Sequence, residues 1–293
     1  MEKILEVKNL RKTFYKSRSL FPAVEDVSFH LMRGECLGLV GESGCGKSTT
    51  ARLIAGLLEP DRGSVCLDGE EILGLKGKKK RDVYTKLQMV FQTPKDSFDP
   101  RWTLGDGIME SMRNRGMKKE QARERMYQLL EQVELDRSFG DRYPYEVSGG
   151  ECQRAAIARA LAVDPGLVIC DEATSALDVT VQAQIMELLK RLQMERKLSL
   201  LFICHDLALV QHMCQRVLVM YQGKIIERGT PDEVIQHPRE AYTRTLIDSV
   251  LLKHTLCVQG VWSLVHGGQG KEKQNEKKIL TEKSMGIFTG HDP

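Results

Sequence analysis

A glycine-rich segment carries the residues best suited to hold phosphate. Residues 41–48 read GESGCGKS and fit the spacing G-x-x-x-x-G-K-[ST]. In such a loop successive backbone N–H groups face phosphate oxygens, and a helix that begins there adds favourable partial charge. The alternative is a glycine-rich turn with an incidental lysine. An apolar run over residues 35–40 and a helical pattern over residues 49–58 favour a phosphate loop between strand and helix.

This spacing assigns a task to each residue type. We expect Lys47 to reach the terminal phosphates of a nucleotide and Ser48 to ligate Mg²⁺. The loop residues expected to contact the nucleotide are Gly41, Ser43, Gly44, Cys45, Gly46, Lys47, Ser48 and Thr49.

Two carboxylates end a second apolar run, LVICDE at residues 167–172. Such a run predicts a buried parallel strand whose tip reaches the edge of the sheet where ligands bind. Strand ends are also acidic simply because they meet solvent. Together with a phosphate loop, however, Asp171 is expected to hold Mg²⁺ directly or through water, and Glu172 to polarise the attacking water.

A second anion site is predicted far along the chain. Ser148, Gly149 and Gly150 precede a helical pattern over residues 151–162, and a hydroxyl with bare backbone at a helix N-terminus can bind an anion. The alternative is an ordinary serine cap followed by flexible glycine. A second such site makes sense if it contacts the γ-phosphate bound by another subunit.

Two more polar side chains follow apolar runs. Gln92 follows residues 89–91, and its neutral amide can contact Mg²⁺ and water without leaving a charge behind. His205 follows residues 200–204 and can donate a hydrogen bond at physiological pH. Either could instead be a strand-end residue without chemistry.

The order of these segments resembles that of ATP-binding-cassette ATPases over most of residues 4–229. Residues 148–150 resemble the family's signature motif, Gln92 its Q-loop glutamine, residues 175–178 its D-loop and His205 its switch histidine. Phe14 is similar in position to the family's adenine-stacking aromatic residue, with Tyr15 as the alternative.

The resemblance implies that Glu172, His205 and Gln92 are catalytic and that Ser48, Gln92 and Asp171 hold Mg²⁺. It also implies that Phe14 stacks on adenine and that Ser148–Gly150 complete ATP sites shared across a dimer. Glu151 departs from the pattern, because glutamine is more usual there.

Composition limits the alternatives. The chain has 293 residues, 41% hydrophobic and 28% charged, which is ordinary for a soluble globular protein. A formal charge of +3 is too small to indicate nucleic acid, and no apolar run is long enough to cross a bilayer. Residues 4–7 read as a strand, so we expect no signal peptide. Eight scattered cysteines without a C-x-x-C pair indicate free thiols in a reducing compartment.

The segments predict an α/β fold, namely a RecA-like P-loop core with an N-terminal antiparallel β layer and an inserted α-helical subdomain. An ATPase domain is expected over residues 1–253, with its helical subdomain at about 97–163 and a C-terminal extension at about 230–253. Residues 254–293 are lysine- and glycine-rich and predict a poorly ordered tail. The KKKR run at residues 78–81 predicts a solvated loop, for which phosphate or lipid contact is a weaker alternative.

Two stretches resemble importers of oligopeptides, dipeptides and nickel: residues 92–105 at the Q-loop, and residues 223–229 followed by residues 237–246. Within residues 92–105, Phe98 and Trp102 could form a groove for a permease helix, or could fill the core at this junction. Many peptide-type members hold an iron–sulfur cluster in a cysteine-rich tail, but Cys257 is the only cysteine there, so we expect no cluster.

The resemblance implies an importer's ATP-binding subunit at the cytoplasmic face of the membrane. Its partners would be integral permeases, a second ATPase and, indirectly, an extracytoplasmic binding protein, with no nucleic acid. An exporter subunit and a soluble non-transport ATPase are the alternatives. Cargo cannot be read from this chain, because a binding protein and the permease select it.

Overall fold

A computed structural model describes residues 2–16, 19–174 and 177–248. The strands are β1 (Lys3–Lys16), β2 (Ser19–Met32), β3 (Cys36–Val40), β4 (Arg62–Leu67), β5 (Glu70–Glu71), β6 (Leu87–Val90), β7 (Leu167–Asp171), β8 (Ser199–Cys204), β9 (Arg216–Tyr221) and β10 (Lys224–Gly229). The helices are α1 (Lys47–Ile54), α2 (Gly77–Lys86), α3 (Leu104–Asn114), α4 (Lys119–Gln132), α5 (Gly149–Leu161), α6 (Val179–Arg196), α7 (Leu207–Met213) and α8 (Pro231–Gln236). Residues 241–248 are also helical.

Six strands form one sheet in the order β10-β9-β3-β8-β7-β6. The five strands from β9 to β6 pair in parallel, and β10 pairs antiparallel at one edge. Every residue of β3, β7 and β8 is buried, as expected for central strands covered on both faces. Because these strands run in the same direction, their carboxyl ends meet at one edge of the sheet.

The other sheet is antiparallel, in the order β2-β1-β4-β5. Its apolar side chains and those of α1 form one hydrophobic cluster with Leu37 and Leu39 of β3. Alternate residues of the same strand, Cys36 and Val40, belong to a second cluster, which contains the apolar residues of α3, α4, α5 and α7. The period of two along β3 therefore divides the core into two layers.

Helices α3, α4 and α5 pack against one another between β6 and β7 in the chain. With the two sheets, they make the predicted α/β architecture, which is confirmed. The predicted boundary of the inserted helical subdomain stays a prediction. So does the domain limit at residue 253, because residues 249–293, with the predicted tail and Cys257, lie outside the described residues.

The first helix ends earlier than predicted. Helix α1 stops at Ile54, whereas the apolar pattern predicted continuation to Leu58. Gly56 has a φ of 64°, a left-handed conformation that terminates helices. Leu57, which the pattern placed on the helix, is exposed.

The basic segment predicted as a loop is helical. Lys78–Arg81 lie inside α2, none of whose residues is buried. Its half-buried side, which includes Val83 and Tyr84, leads directly into β6. The cluster of cations concealed this weak apolar side, so the loop prediction was wrong. Across the described ranges, no helix combines the length and hydropathy that crossing a bilayer requires.

An ion pair joins the two sheets. The Arg216 guanidinium on β9 donates to both carboxylate oxygens of Glu35 at 2.6 and 3.0 Å, and to the carbonyl of His30 on β2 at 2.9 Å. Glu35 is 9% exposed and also accepts from the backbone N–H of Met32. Removing the guanidinium would leave a mostly buried carboxylate without its cation.

We predict that Arg216→Met lowers the free energy of unfolding by about 2 kcal/mol, measured by urea denaturation at pH 7. The control is Arg137→Met, which removes a cation paired with Glu131 where both side chains are 53% exposed. The control should leave the urea midpoint unchanged. Equal loss of stability in both variants would contradict the role given to Arg216.

Candidate functional site

The glycine-rich segment connects β3 to α1. Residues 41–46 form the turn, and α1 begins at Lys47 with Gly46 as its N-cap at a φ of 111°. A Cβ atom at Gly46 would lie 2.2 Å from the carbonyl oxygen of Ala23 on β2, so no side chain fits. Ser43 and Gly44 are exposed, and Ser48 and Thr49 are half-buried. The loop thus presents an open strip of backbone at a helix N-terminus, which is suited to an anion.

The Lys47 side chain is almost completely buried, at 3% exposure. Its Nζ donates to the carbonyls of Gly41 at 2.7 Å and Glu42 at 2.8 Å. The Glu172 carboxylate lies 3.7 Å from the same nitrogen. A buried ammonium needs compensating acceptors, and here two loop carbonyls and the Glu172 carboxylate provide them. The cation is therefore held between the two segments that the sequence predicted for phosphate and water.

The predicted metal ligands Ser48 and Asp171 are in direct contact. Ser48 Oγ donates to Asp171 Oδ1 at 2.9 Å. Burial raises the pKa of Asp171, although the Ser48 hydrogen bond opposes the rise. A buried carboxylate with its oxygens beside a hydroxyl is a donor set that fits Mg²⁺, which prefers oxygen ligands and would itself favour the ionised carboxylate.

The strand register brings the remaining polar residues to the same edge. Val90 on β6 pairs with Cys170 on β7, and Asp171 pairs with Ile203 on β8. Gln92 follows β6 and donates from Nε2 to Glu172 Oε2 at 2.7 Å. Gln92, which was predicted to hold the metal, is therefore hydrogen-bonded to Glu172, the predicted catalytic carboxylate.

His205 follows β8 at this edge and is exposed. Its strand pairs with β7 on one side and with β3 on the other, with Cys204 opposite Val40. His205 thus lies at the same edge of the sheet, between Glu172, which follows β7, and Gly41, which follows β3.

Phe14 lies on β1 opposite Phe21 on β2, and its ring is 38% exposed. Ala23, whose carbonyl contacts Gly46, lies two residues along β2 from Phe21. The hairpin therefore places Phe14 on β1, the neighbour of the strand β2 that approaches the loop. Tyr15, the alternative aromatic residue, is 74% exposed.

Ser148 caps α5 and does not join this cluster. Its side chain accepts from the N–H of Glu151 at 3.3 Å, and its own N–H donates to Glu151 Oε2 at 2.7 Å. This reciprocal capping box stabilises the exposed helix start. The departure from glutamine at residue 151 is thus compatible with local structure, because either side chain can accept this bond.

Gly150 faces α6, where a Cβ atom would lie 2.5 Å from Val181 Cγ1, and Gly149 faces Leu177. Asp178 caps α6 by accepting from the N–H of Val181 at 3.0 Å. Ser175 and Ala176, which carry the first half of the predicted D-loop, lie outside the described residues.

The comparisons with known proteins show the family of the chain. A family model described as ABC transporter matches residues 24–175, which is just over half of the chain. The chain belongs to the ABC transporter family. The resemblance inferred from the motifs is confirmed, and the chain is accordingly an ATP hydrolase.

Relatives of this ABC protein span nearly the same region. It is 46% identical over 254 residues to the oligopeptide transport ATP-binding protein OppF of Bacillus subtilis, covering 86% of this chain and 83% of that protein. It is 48% identical over 247 residues to OppF of Escherichia coli, covering 84% and 74%.

Among solved structures, the ATP-binding cassette MJ0796 matches with a TM-score of 0.71 and 28% identity, over 78% of this chain and 98% of that one. It was determined as a dimer bound to ADP and Pi in a post-hydrolysis state.

Two contacts near the site were missed from sequence. The guanidinium of Arg159 on α5 lies 4.2 Å from the ring centroid of Phe98 and donates to Ser97 Oγ at 2.8 Å. Phe98 is buried, so the core alternative fits it, whereas Trp102 is 42% exposed.

The second missed contact joins the Tyr242 hydroxyl to the loop at Glu42. Neither contact has a local sequence signal, because the partners are far apart in the chain.

We predict that Glu151→Gln keeps the cap, whereas Glu151→Ala loses it and lowers the free energy of unfolding by about 1 kcal/mol at pH 7. Hydrogen bonds from Ser148 hold the pKa of Glu151 below its ordinary value. The contribution of the charge is therefore fully present above the ordinary glutamate pKa and is lost as pH falls through the folded-state value.

Urea unfolding between pH 7 and pH 3 tests this. The stabilities of the native chain and Glu151→Gln should converge with acidification. A Gln variant as unstable as the Ala variant at pH 7 would contradict the capping role.

Proposed function

We propose that this ABC protein is the ATP-binding subunit that powers import of oligopeptides through integral membrane permeases. The observation that carries the proposal is the cluster at the carboxyl edge of the parallel sheet: Lys47 beside Glu172, Glu172 beside Gln92, and Ser48 beside Asp171. The sequence identity of this chain to two proteins named as oligopeptide transport ATP-binding proteins supports oligopeptides as the cargo class. Nickel, the other predicted cargo, has no such support in these relatives.

Each residue of the edge has a proposed role. Residues 41–49 wrap the phosphates with backbone N–H groups, and Lys47 neutralises the terminal phosphates. Glu172 orients the attacking water and accepts its proton, while His205 hydrogen-bonds the γ-phosphate. The Gln92–Glu172 hydrogen bond keeps the carboxylate aimed toward the loop before the reaction.

Ser48, Asp171 and Gln92 would hold Mg²⁺, and their oxygen atoms fit that ion. When bound, the ion neutralises charge that develops on the phosphate oxygens. Ser48 lies on α1, Asp171 ends β7 and Gln92 follows β6. The parallel sheet therefore sets the distances among the three side chains.

The second part of the ATP site would come from another subunit. At the start of α5, Ser148 is exposed and Gly149 and Gly150 are half-buried, and the Ser148 contacts stay within its own helix turn. We infer that they contact the γ-phosphate held by a partner ATPase, either a second copy or a related chain. The dimeric arrangement of MJ0796 supports this inference. Phe14 would stack on adenine at the other end of the nucleotide.

The transport assembly would place this chain on the cytoplasmic face of the membrane. Its permeases would receive cargo from an extracytoplasmic binding protein. Because Phe98 is buried, the exposed Trp102 is the better candidate of the two for contact with a permease helix. The C-terminal extension at residues 230–253 is proposed as part of the ATPase domain.

We predict that Glu172→Gln slows ATP hydrolysis by at least about 100-fold, because it removes the proton acceptor. With ATP and Mg²⁺ the variant should accumulate as a closed dimer, alone or with its partner ATPase, in size-exclusion chromatography. The control is Glu187→Gln, the same change at an exposed position of α6, which should hydrolyse ATP normally. A Glu172→Gln chain that remains monomeric under both conditions would refute the shared site.

A second prediction separates binding from chemistry. Lys47→Ala should raise the Kd for ATP by about 10- to 100-fold, since it removes a charge-assisted contact to phosphate. His205→Ala should leave the Kd within about twofold and lower kcat, because its contact forms mainly in the closed state.

Calorimetry and steady-state ATPase assays measure both quantities. His212→Ala, which changes the exposed histidine at the other end of α7, is the control. Equal loss of ATP affinity in the Lys47 and His205 variants would contradict the role of His205.

A further inference from the structure

A tyrosine near the end of the described chain touches the phosphate loop. The Tyr242 hydroxyl accepts a hydrogen bond from the backbone N–H of Glu42 at 2.9 Å, across 200 residues of sequence. Glu42 follows Gly41 directly, so this bond holds the first turn of the loop. Burial raises the pKa of Tyr242 above its ordinary value, which already lies well above neutrality.

The Tyr242 ring is held in place by a second tyrosine. Its centroid lies 4.1 Å from that of Tyr221, with the planes tilted by 34°. Tyr221 is the last residue of β9, which pairs with β3. Met220 precedes Tyr221, and its carbonyl oxygen would lie 2.2 Å from a Cβ atom at Gly41. Tyr242 therefore packs on the strand end that also supports the beginning of the loop.

The segment that carries Tyr242 is anchored on both sides. The Glu227 carboxylate on β10 accepts from the backbone N–H groups of Arg239 at 2.9 Å and Glu240 at 3.2 Å. Although burial opposes ionisation of Glu227, these N–H groups hold its pKa below the ordinary value. Beyond Tyr242, Leu246 and Ile247 are buried in the core. The position of the phenol is thus set by structure outside the loop.

We propose that Tyr242 is a positioning residue for the phosphate loop, through which the C-terminal segment of residues 237–248 sets the affinity for ATP. The inference rests on the proposed assignment of residues 41–49 as the phosphate loop. Without the phenolic oxygen, the Glu42 N–H loses its acceptor and the exposed first turn gains conformational freedom. ATP binding must then order that turn, so affinity falls. The proposed catalytic residues Gln92, Glu172 and His205 follow β6, β7 and β8 and are not in this contact.

The test is Tyr242→Phe in the full chain, which removes one oxygen and keeps the ring. The KM and Kd for ATP should rise about three- to tenfold, the range of a single neutral hydrogen bond, while kcat stays within about twofold. The matched control is Tyr221→Phe, which removes the hydroxyl of the stacked ring. That hydroxyl accepts from Gln222 and not from the loop, so ATP affinity should not change.

A second variant tests the anchor without altering the ring. Glu227→Gln replaces one of the two accepting oxygens with a donor, so one of the N–H groups of Arg239 and Glu240 loses its partner. ATP affinity should fall, as in Tyr242→Phe. Unchanged ATP affinity in Tyr242→Phe would overturn the proposal, as would a parallel fall in kcat and thermal midpoint, which indicates general destabilisation. If Lys47→Ala also leaves ATP affinity unchanged, the assignment of the loop itself has failed.

Discussion

The Lys47 ammonium is removed almost entirely from solvent, and the arrangement of the proposed ATP-binding edge follows from the need to compensate this charge. Two loop carbonyls accept hydrogen bonds from it, and the Glu172 carboxylate lies 3.7 Å away. An isolated buried charge is costly, so the loop and β7 must stay close together. The loop can follow this path because glycine occupies position 46, where the carbonyl of Ala23 leaves no room for a side chain. Phosphate oxygens are the natural additional partners for such a cation.

The parallel sheet determines which residues can act together. Strands β6, β7, β8 and β3 are neighbours, so the residues that follow them emerge at one edge. Glu172 contacts Gln92 on one side and Lys47 on the other, while Ser48 contacts Asp171. The signature residues belong instead to the start of α5, where Ser148 and Glu151 satisfy each other. This division is the physical reason for proposing that a second subunit completes the site.

Motif spacing and apolar runs predicted much of this edge. Strands β3, β7 and β8 are short, wholly buried runs, and each is followed by a residue that the sequence marked for chemistry. The roles of those residues stay predictions. The sequence did not reveal the Tyr242–Glu42 or Arg159–Phe98 contacts, because they depend on tertiary packing between distant segments. Helix α2 was missed because its cations suggested solvent, and α1 was overextended because Gly56 was not recognised as its stop.

In the proposed mechanism, one chain supplies the phosphate-binding edge and another supplies the signature. The most direct test is the ATPase rate per chain, measured across a wide range of protein concentrations, alone and with a fixed excess of the partner ATPase. A shared site predicts a rate per chain that rises with concentration and then saturates, with the rise shifted to lower concentration by the true partner. A rate per chain that stays constant down to concentrations where light scattering finds only monomer would contradict this mechanism.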